Sequence, residues 1–185
     1  HKIMIGSLNT PRLLLRRLRL DDAADLYEYL SDPQTYRFEP GEPLERAQAD
    51  ARAADLAASP HFWAVVLRST GKMIGQLYLA QITPLEHLTC ELGYILSPAY
   101  QRQGYGAEAA GARVRQALTA DGMHRVVAHC NPQNTASWRL LERIGFRREG
   151  LHRQDIFFRR GAAGEPLWTD TYVYALLAAE VARLP

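Results

Sequence analysis

The sequence predicts one α/β domain in which helices cover a mixed β-sheet. Segments with strand-like composition and segments with helical periodicity follow each other in the order β-α-α-β-β-β-α-β-α-β-β. No repeat, low-complexity tract or linker divides the 185 residues, and this length suits a single hydrophobic core. We therefore assign residues 8–185 to one domain. Residues 1–7 are expected to be a tag remnant or a disordered N-terminus.

The first part of the chain predicts a strand and two helices. A partly alternating apolar run predicts a strand over residues 10–18. Asp21 and Asp22 are suitable N-cap residues for a helix that runs to about Leu30. After a variable stretch with two aromatic residues, an alanine-rich segment predicts a second helix over residues 44–58.

The middle of the chain predicts three strands. Apolar runs at 61–67 and 73–79 flank the turn-forming segment 68–72, a pattern typical of a β-hairpin. A further apolar run predicts a strand over 91–96, which Ser97-Pro98 ends. This third strand leads directly to the most informative segment of the sequence.

The last part of the chain predicts two helices and three strands. One apolar face and a terminating Gly122 predict a helix over 104–120, with glycine as its left-handed cap. Residues 125–130 predict a strand, and a helix over 135–144 is expected to end at Gly145. The closing strands are predicted at 152–159 and 170–177.

The segment Gln101–Ala107 joins a strand to a helix through a glycine loop. Glycine at 104 and 106 lets the backbone turn with positive φ and lets a ligand approach closely. The first N–H groups of the following helix have no internal partner, and the helix dipole favours an anion there. The segment lacks the nucleoside-triphosphate P-loop pattern, and Ala109 breaks the dinucleotide pattern G-x-G-x-x-G. What remains is [QR]-x-x-G-x-[GA]; an ordinary glycine turn is the alternative.

Four segments in order resemble the RimJ/RimL-like branch of the GNAT superfamily of N-acetyltransferases. They are Glu91–Pro98, the glycine loop, Asn131–Ser137 and Leu140–Gly150, and the resemblance extends from about Asn9 to Val181. It implies a GNAT fold, with a mostly antiparallel seven-stranded sheet splayed at its centre and about four helices. It also implies that acetyl-CoA donates an acetyl group directly to an amine acceptor, without a metal.

The resemblance assigns roles to particular residues. Glu91 is expected to help deprotonate the amine, the Leu96 backbone N–H to stabilise the oxyanion, and Ser137 to protonate the departing thiolate. Tyr36 and Phe38 are expected to contact the acceptor. The residues expected to bind the cofactor are Tyr94, Ile95, Leu96, Gln101, Arg102, Gln103, Gly104, Tyr105, Gly106, Ala107 and Asn134.

Each assignment has a structural alternative. Asn134 is also a suitable helix N-cap, and Ser137 is also suitable as a serine at the start of a helix. Glu91 is alternatively a strand residue that faces solvent or pairs with an arginine. The favoured acceptor is a protein N-terminal α-amine, whose reference pKa of roughly 7.7–8.0 makes it easier to deprotonate than lysine. A small-molecule amine (a polyamine, an aminoglycoside-like compound or an amino acid) and a non-catalytic acyl-CoA-binding module are the alternative functions.

Composition excludes several other classes. A net charge of +2 with scattered basic residues does not favour nucleic-acid binding, and no apolar run has the length of a membrane span. The six histidines and two cysteines have no ligand spacing, so no metal site is expected. Free thiols favour a cytoplasmic location, and many arginines and alanines favour a bacterial source. We expect a monomer or a homodimer.

Overall fold

A computed structural model describes residues 6–183, which form an eight-stranded sheet between two pairs of helices. Residues 1–5 of the predicted N-terminal remnant lie outside the described residues, and Ser7 begins the first strand. The strands are β1 (Ser7–Asn9), β2 (Leu13–Arg17), β3 (Phe62–Leu67), β4 (Met73–Gln81), β5 (Thr89–Leu96), β6 (Arg125–Cys130), β7 (Arg147–Ile156) and β8 (Thr169–Leu177). The helices are α1 (Ala23–Leu30), α2 (Arg46–Ala58), α3 (Tyr105–Leu118), α4 (Thr135–Arg143) and the short α5 (Ala178–Val181).

The predicted α/β fold is confirmed, with one strand and one short helix more than the sequence predicts. The extra strand, β1, pairs with β2. Because β1 has only three residues, it is too short to show a hydrophobic period. Strand β7 begins at Arg147, five residues before the predicted start at position 152. This edge strand is exposed along nearly its whole length, so its sequence carries no buried apolar pattern.

The sheet separates two hydrophobic cores. Helices α3 and α4 pack on one face, where Leu15, Val65 and Leu141 are buried; α1 and α2 pack on the other, where Leu26 and Val66 are buried. Successive side chains of a strand point to opposite faces, so a strand buried on both faces must be apolar throughout. This explains the uninterrupted apolar sequence of β3.

The sheet opens between β5 and β6, its one parallel pair among the described strands. Strand β5 pairs with β4 as far as Leu96, opposite Gly75. Its pairing with β6 ends earlier, at Leu92 opposite Ala128, although β6 continues to Cys130. The last four residues of β5 therefore have a neighbouring strand on only one side.

The hydrogen-bond register shows which backbone groups face this opening. Ser97 donates to the Ile74 carbonyl at 2.7 Å, and Ile82 donates to the Thr89 carbonyl at 2.9 Å. Because residues of an antiparallel strand alternate between the two sides, the odd-numbered residues of β5 bond to β4. The N–H and C=O groups of Tyr94 and Leu96 therefore point into the opening.

We expect Gly75→Ala to destabilise the fold, because a Cβ at this position would lie 2.5 Å from the Ile95 carbonyl oxygen. Backbone on both strands must shift to make room, and such overpacking costs about 1–3 kcal/mol. The matched control is Gly93→Ala on the paired strand, where a Cβ would lie 3.6 Å from the nearest atom. Urea unfolding measures both variants; equal free energies of unfolding would contradict the expectation.

Candidate active site

A cleft of about 1420 Å³ passes through the opening between β5 and β6. Its walls come from the end of β5, the start of α3, the start of α4 and the segment between α1 and α2. Most residues predicted for the site line it: Phe38, Glu91, Tyr94, Ile95, Leu96, Gln101, Arg102, Gly104, Tyr105, Gly106, Ala107, Asn134 and Ser137. Gln103 and Tyr36 are the two predicted site residues that are not among the lining residues.

The glycine loop ends at the N-terminus of α3, as its sequence predicts. Gly104 is the N-cap residue with φ +82°, and Arg102 also has a positive φ of 63°. The first helical hydrogen bond is donated by Glu108 to the Gly104 carbonyl at 3.1 Å. The amides of Tyr105, Gly106 and Ala107 precede this bond, so they are free to bind an anion at the positive end of the helix dipole.

Arg12 clamps this loop from outside, a role that sequence reasoning missed. Its Nη1 donates to the Gln103 carbonyl at 2.9 Å, its Nε lies 2.9 Å from Glu108, and its guanidinium stacks 4.2 Å from the Tyr105 ring centroid. Thr10 donates to the same glutamate at 2.6 Å. Although partial burial opposes ionisation, the hydrogen bonds from Thr10 and Arg12 keep the pKa of Glu108 below its usual value. The β1–β2 turn thereby fixes the first turn of α3.

Arginine side chains give this end of the cleft a positive charge. Arg102, Arg139 and Arg143 line it. A Cβ at Gly104 would lie 3.3 Å from Arg12 Nη2 and 3.8 Å from Arg143 Nη1, so both guanidinium groups reach the loop. Guanidinium groups beside free backbone amides suit a ligand with several phosphates.

Ser137 and Tyr94 meet across the cleft wall. The Tyr94 hydroxyl lies 2.6 Å from Ser137 Oγ and 3.2 Å from the Ser137 carbonyl oxygen. Burial raises the pKa of Tyr94, so this phenol stays protonated. Burial likewise raises the pKa of Cys130 to about 11, so this lining thiol stays neutral. The Tyr94 hydroxyl, which sequence reasoning did not single out, gives Ser137 a protonated partner.

Asn134 is the N-cap of α4, since its Oδ1 accepts from the Ser137 backbone N–H at 3.3 Å. Asn134 therefore caps α4, which is the structural alternative that the sequence left open. The same residue also lines the cleft. Its side-chain oxygen fixes the start of the helix that carries Ser137, so the cap contributes to the position of this hydroxyl.

Glu91 lies on the opposite face of β5 from Tyr94, because the two differ by an odd number of positions. Its carboxylate is 43% exposed and lies 3.6 Å from Nδ1 of His129 on β6. Glu91 and His129 both line the cleft. The site thus has a carboxylate on the face of α1 and α2 and a pair of hydroxyls on the face of α3 and α4.

The segment between α1 and α2 reaches the cleft on the Glu91 side. Phe38 lines the cleft, whereas Tyr36 is buried in the core around α1 and donates from its hydroxyl to the Leu30 carbonyl at 2.7 Å. The neighbouring Glu39, which sequence reasoning missed, also lines the cleft. Burial raises the pKa of Glu39 to about 7. A single glutamate in a loop carries no sequence pattern that would reveal this position.

Metal sites and membrane-spanning helices are absent from residues 6–183. No group of three or more His, Cys, Asp or Glu side chains in this range is placed to hold a metal ion. No helix in it has both the length and the apolar character needed to span a bilayer.

Comparison with known proteins agrees with this geometry. Residues 12–147 match the family model described as the acetyltransferase (GNAT) domain. The chain therefore belongs to the GNAT family, and the resemblance found in the sequence is confirmed. The chain is an N-acetyltransferase.

Three relatives illustrate the similarity. The uncharacterized N-acetyltransferase YnaD of Bacillus subtilis is 32% identical over 94% of this chain and 98% of its own length. The [ribosomal protein uS5]-alanine N-acetyltransferase of Escherichia coli is 26% identical over 91% of this chain and 89% of its own. The crystal structure of a GNAT-family acetyltransferase from Bacillus anthracis superposes with a TM-score of 0.85 at 29% identity, covering 94% of this chain and 99% of that one.

We expect Gly104→Val to abolish acetyl-CoA binding, because a β-branched residue cannot adopt φ +82° without moving the loop backbone. Gly71→Val is the matched control: Gly71 has φ +76° in the β3–β4 hairpin, away from the cleft, with open space around its Cβ position. Isothermal titration calorimetry measures the affinity of both variants. If Gly104→Val bound acetyl-CoA as tightly as the control, the assignment of the glycine loop to acetyl-CoA binding would be wrong.

We expect Arg12→Met to weaken acetyl-CoA binding roughly tenfold, because the loop loses its clamp while every cleft-lining residue stays in place. Arg46→Met is the control, since Arg46 is an exposed arginine that pairs with Asp50 on α2. Titration calorimetry and thermal unfolding should be run together. Unchanged affinity in Arg12→Met would show that the loop keeps its shape without the clamp.

Proposed function

We propose that this protein transfers the acetyl group of acetyl-CoA to the α-amine of a protein N-terminus. The observation that carries the proposal is the cleft through the splayed sheet, with the backbone groups of Tyr94 and Leu96, which have no neighbouring strand on this side, on its wall. A pantetheine arm has amide groups that pair with such an edge as an added strand would. The arm would thus reach from the glycine loop to the Glu91 side of the sheet.

In this proposal the phosphates of the cofactor bind at the loop. The amides of Arg102–Ala107 cradle the pyrophosphate, and Gln101 closes the loop because its Nε2 donates to the Leu96 carbonyl at 3.2 Å. Arg143 lies close enough to Gly104 to contact a phosphate bound there. The sulfur end of the arm then lies near Leu96, whose N–H supports the oxyanion of the tetrahedral intermediate.

The transfer itself needs two proton movements. The acceptor ammonium first loses a proton, and Glu91 assists this step directly or through a water molecule. The neutral nitrogen attacks the thioester carbon, the C–N bond forms and the C–S bond breaks. Ser137, backed by the protonated Tyr94 hydroxyl, then passes the second proton of the attacking nitrogen to the coenzyme A thiolate. Because a thiol is a good leaving group near neutral pH, this last contribution is modest.

The choice of a protein N-terminus rests on similarity to the uS5-alanine acetyltransferase of Escherichia coli. A cytoplasmic location and a single catalytic domain over residues 8–185 complete the proposal. Both cysteines are buried and free, which fits a reducing compartment.

The test is thiol release from acetyl-CoA with a panel of amines: peptides with N-terminal Ala, Ser or Met, spermidine, an aminoglycoside and single amino acids. Release with one peptide class is the expected result. Release with small polycations alone would replace the protein acceptor by a small-molecule amine. Binding of acetyl-CoA without release to any amine would support a non-catalytic acyl-CoA-binding module.

We expect Glu91→Gln to lower kcat/KM roughly a hundredfold near pH 7. The difference in kcat/KM between the variant and the wild type should become smaller at high pH, because the amine deprotonates there without help. Glu86→Gln, an exposed position outside the cleft, is the control. A pH profile of Glu91→Gln that matches the wild type would remove this carboxylate from the mechanism.

A further inference from the structure

We propose that Glu39 binds the ammonium group of the acceptor, as an ion pair inside the cleft. The inference rests on the proposed function, because it concerns the acceptor side of the same cleft. It names the class of acceptor as a primary ammonium carried on an apolar segment.

The first observation is that the Glu39 carboxylate has no partner. Glu39 is half-buried and lines the cleft, yet within residues 6–183 no hydrogen bond or ion pair reaches its carboxylate. A carboxylate that has lost part of its hydration and has no partner in the protein is costly to keep ionised. An incoming ammonium supplies the missing partner.

The second observation is that Arg159 holds the backbone of the Glu39 segment in place. Nη2 of Arg159, from the β7–β8 connection, donates to the Tyr36 carbonyl at 2.8 Å and to the Glu39 carbonyl at 3.1 Å. The guanidinium is therefore committed to main-chain oxygens and leaves the carboxylate free. Tyr36, buried with its hydroxyl bonded to Leu30, anchors the same segment from the other end.

The third observation is the apolar frame around this part of the cleft. Phe38, Ile156 and Phe158 line it, and Ile156 and Phe158 are about 40% exposed although they are large and apolar. Exposed apolar groups beside a polar anchor are typical of a binding surface. Aromatic faces also favour a nearby cation. The Arg37 guanidinium already lies 5.0 Å from the Phe38 ring centroid, so we expect Phe158 to be the ring beside the amine.

Neighbouring charges are consistent with this role. The titratable side chains that line this part of the cleft or hold the Glu39 segment are Arg37, Glu91, Tyr94, His129, Asp170 and Arg159. Burial raises the pKa of Glu39 to about 7, and an ammonium bound beside it would lower that pKa again. The two glutamates have different roles: Glu39 binds the ammonium, and Glu91 assists its loss of a proton.

The first experiment is independent of transfer. The side-chain carboxyl of Glu39 is followed by carbon-13 NMR as n-butylammonium chloride or n-butanol is added to the protein. The amine should lower the pKa of Glu39, and the alcohol, which has a similar shape without charge, should leave it unchanged. Equal responses to both compounds, or none to the amine, would overturn the proposal.

The second experiment is kinetic, with a pentapeptide that begins with alanine. Glu39→Gln should raise the KM for the peptide at least tenfold and leave the KM for acetyl-CoA unchanged. Glu42→Gln, an exposed glutamate of the same segment outside the cleft lining, should leave both constants unchanged. Unchanged peptide KM in Glu39→Gln would contradict the proposal. A positive NMR response without transfer to any amine would instead contradict the proposed function alone.

Thermal unfolding separates a folding defect from a binding defect. The pKa of Glu39 is raised in the folded state from 4.5 to about 7, so folding stability falls as the pH rises through this window. Glu39→Gln should therefore have a higher Tm than the wild type at pH 8 and the same Tm at pH 4. A lower Tm at pH 8 would show that the carboxylate has a structural partner, which contradicts the first observation.

Discussion

The unsatisfied backbone of β5 is the constraint on which the site depends. A strand with a neighbour on one side leaves the N–H and C=O groups of every second residue without a partner, and leaving such groups buried and unpaired costs about 1–3 kcal/mol each. Here those groups belong to Tyr94 and Leu96, which have no neighbouring strand on the cleft side, although the Leu96 carbonyl accepts from Gln101 Nε2 at 3.2 Å. A ligand with its own amide groups can replace the missing strand. In the proposed function, the opening in the sheet determines both where the cofactor binds and which residues reach its reactive end.

Charge is divided along the cleft. Arg102, Arg139 and Arg143 lie at the end where α3 begins, and the clamp by Arg12 keeps the loop amides there in position. Glu39, Glu91 and Asp170 line the cleft elsewhere. In the proposed function, a polyanionic donor meets the arginine side chains and a cationic acceptor meets the carboxylates, among which Arg37 is also a lining residue. Such an arrangement would orient both reactants before any bond changes, which is a large part of what a transferase has to supply.

The sequence predicted those features that have a local signature. The bounds of β6 were predicted at both ends, and the glycine loop was placed correctly between a strand and a helix, because periodicity and glycine are local signals. The start of β7 was not predicted correctly, because an exposed edge strand lacks a buried face. Tyr36 and Glu39 show the same limit within the site: which side of an irregular loop faces a cleft depends on distant partners such as Arg159.

The most direct test of the splayed-strand account is residue-resolved amide hydrogen exchange on β5, by NMR, with and without acetyl-CoA. The amides of Gly93 and Ile95 bond to β4 and should exchange slowly in both states. The amides of Tyr94 and Leu96 should exchange quickly in the free protein and slow down when acetyl-CoA is bound. Saturation with acetyl-CoA and unchanged exchange at both Tyr94 and Leu96 would contradict the claim that the cofactor replaces the missing strand.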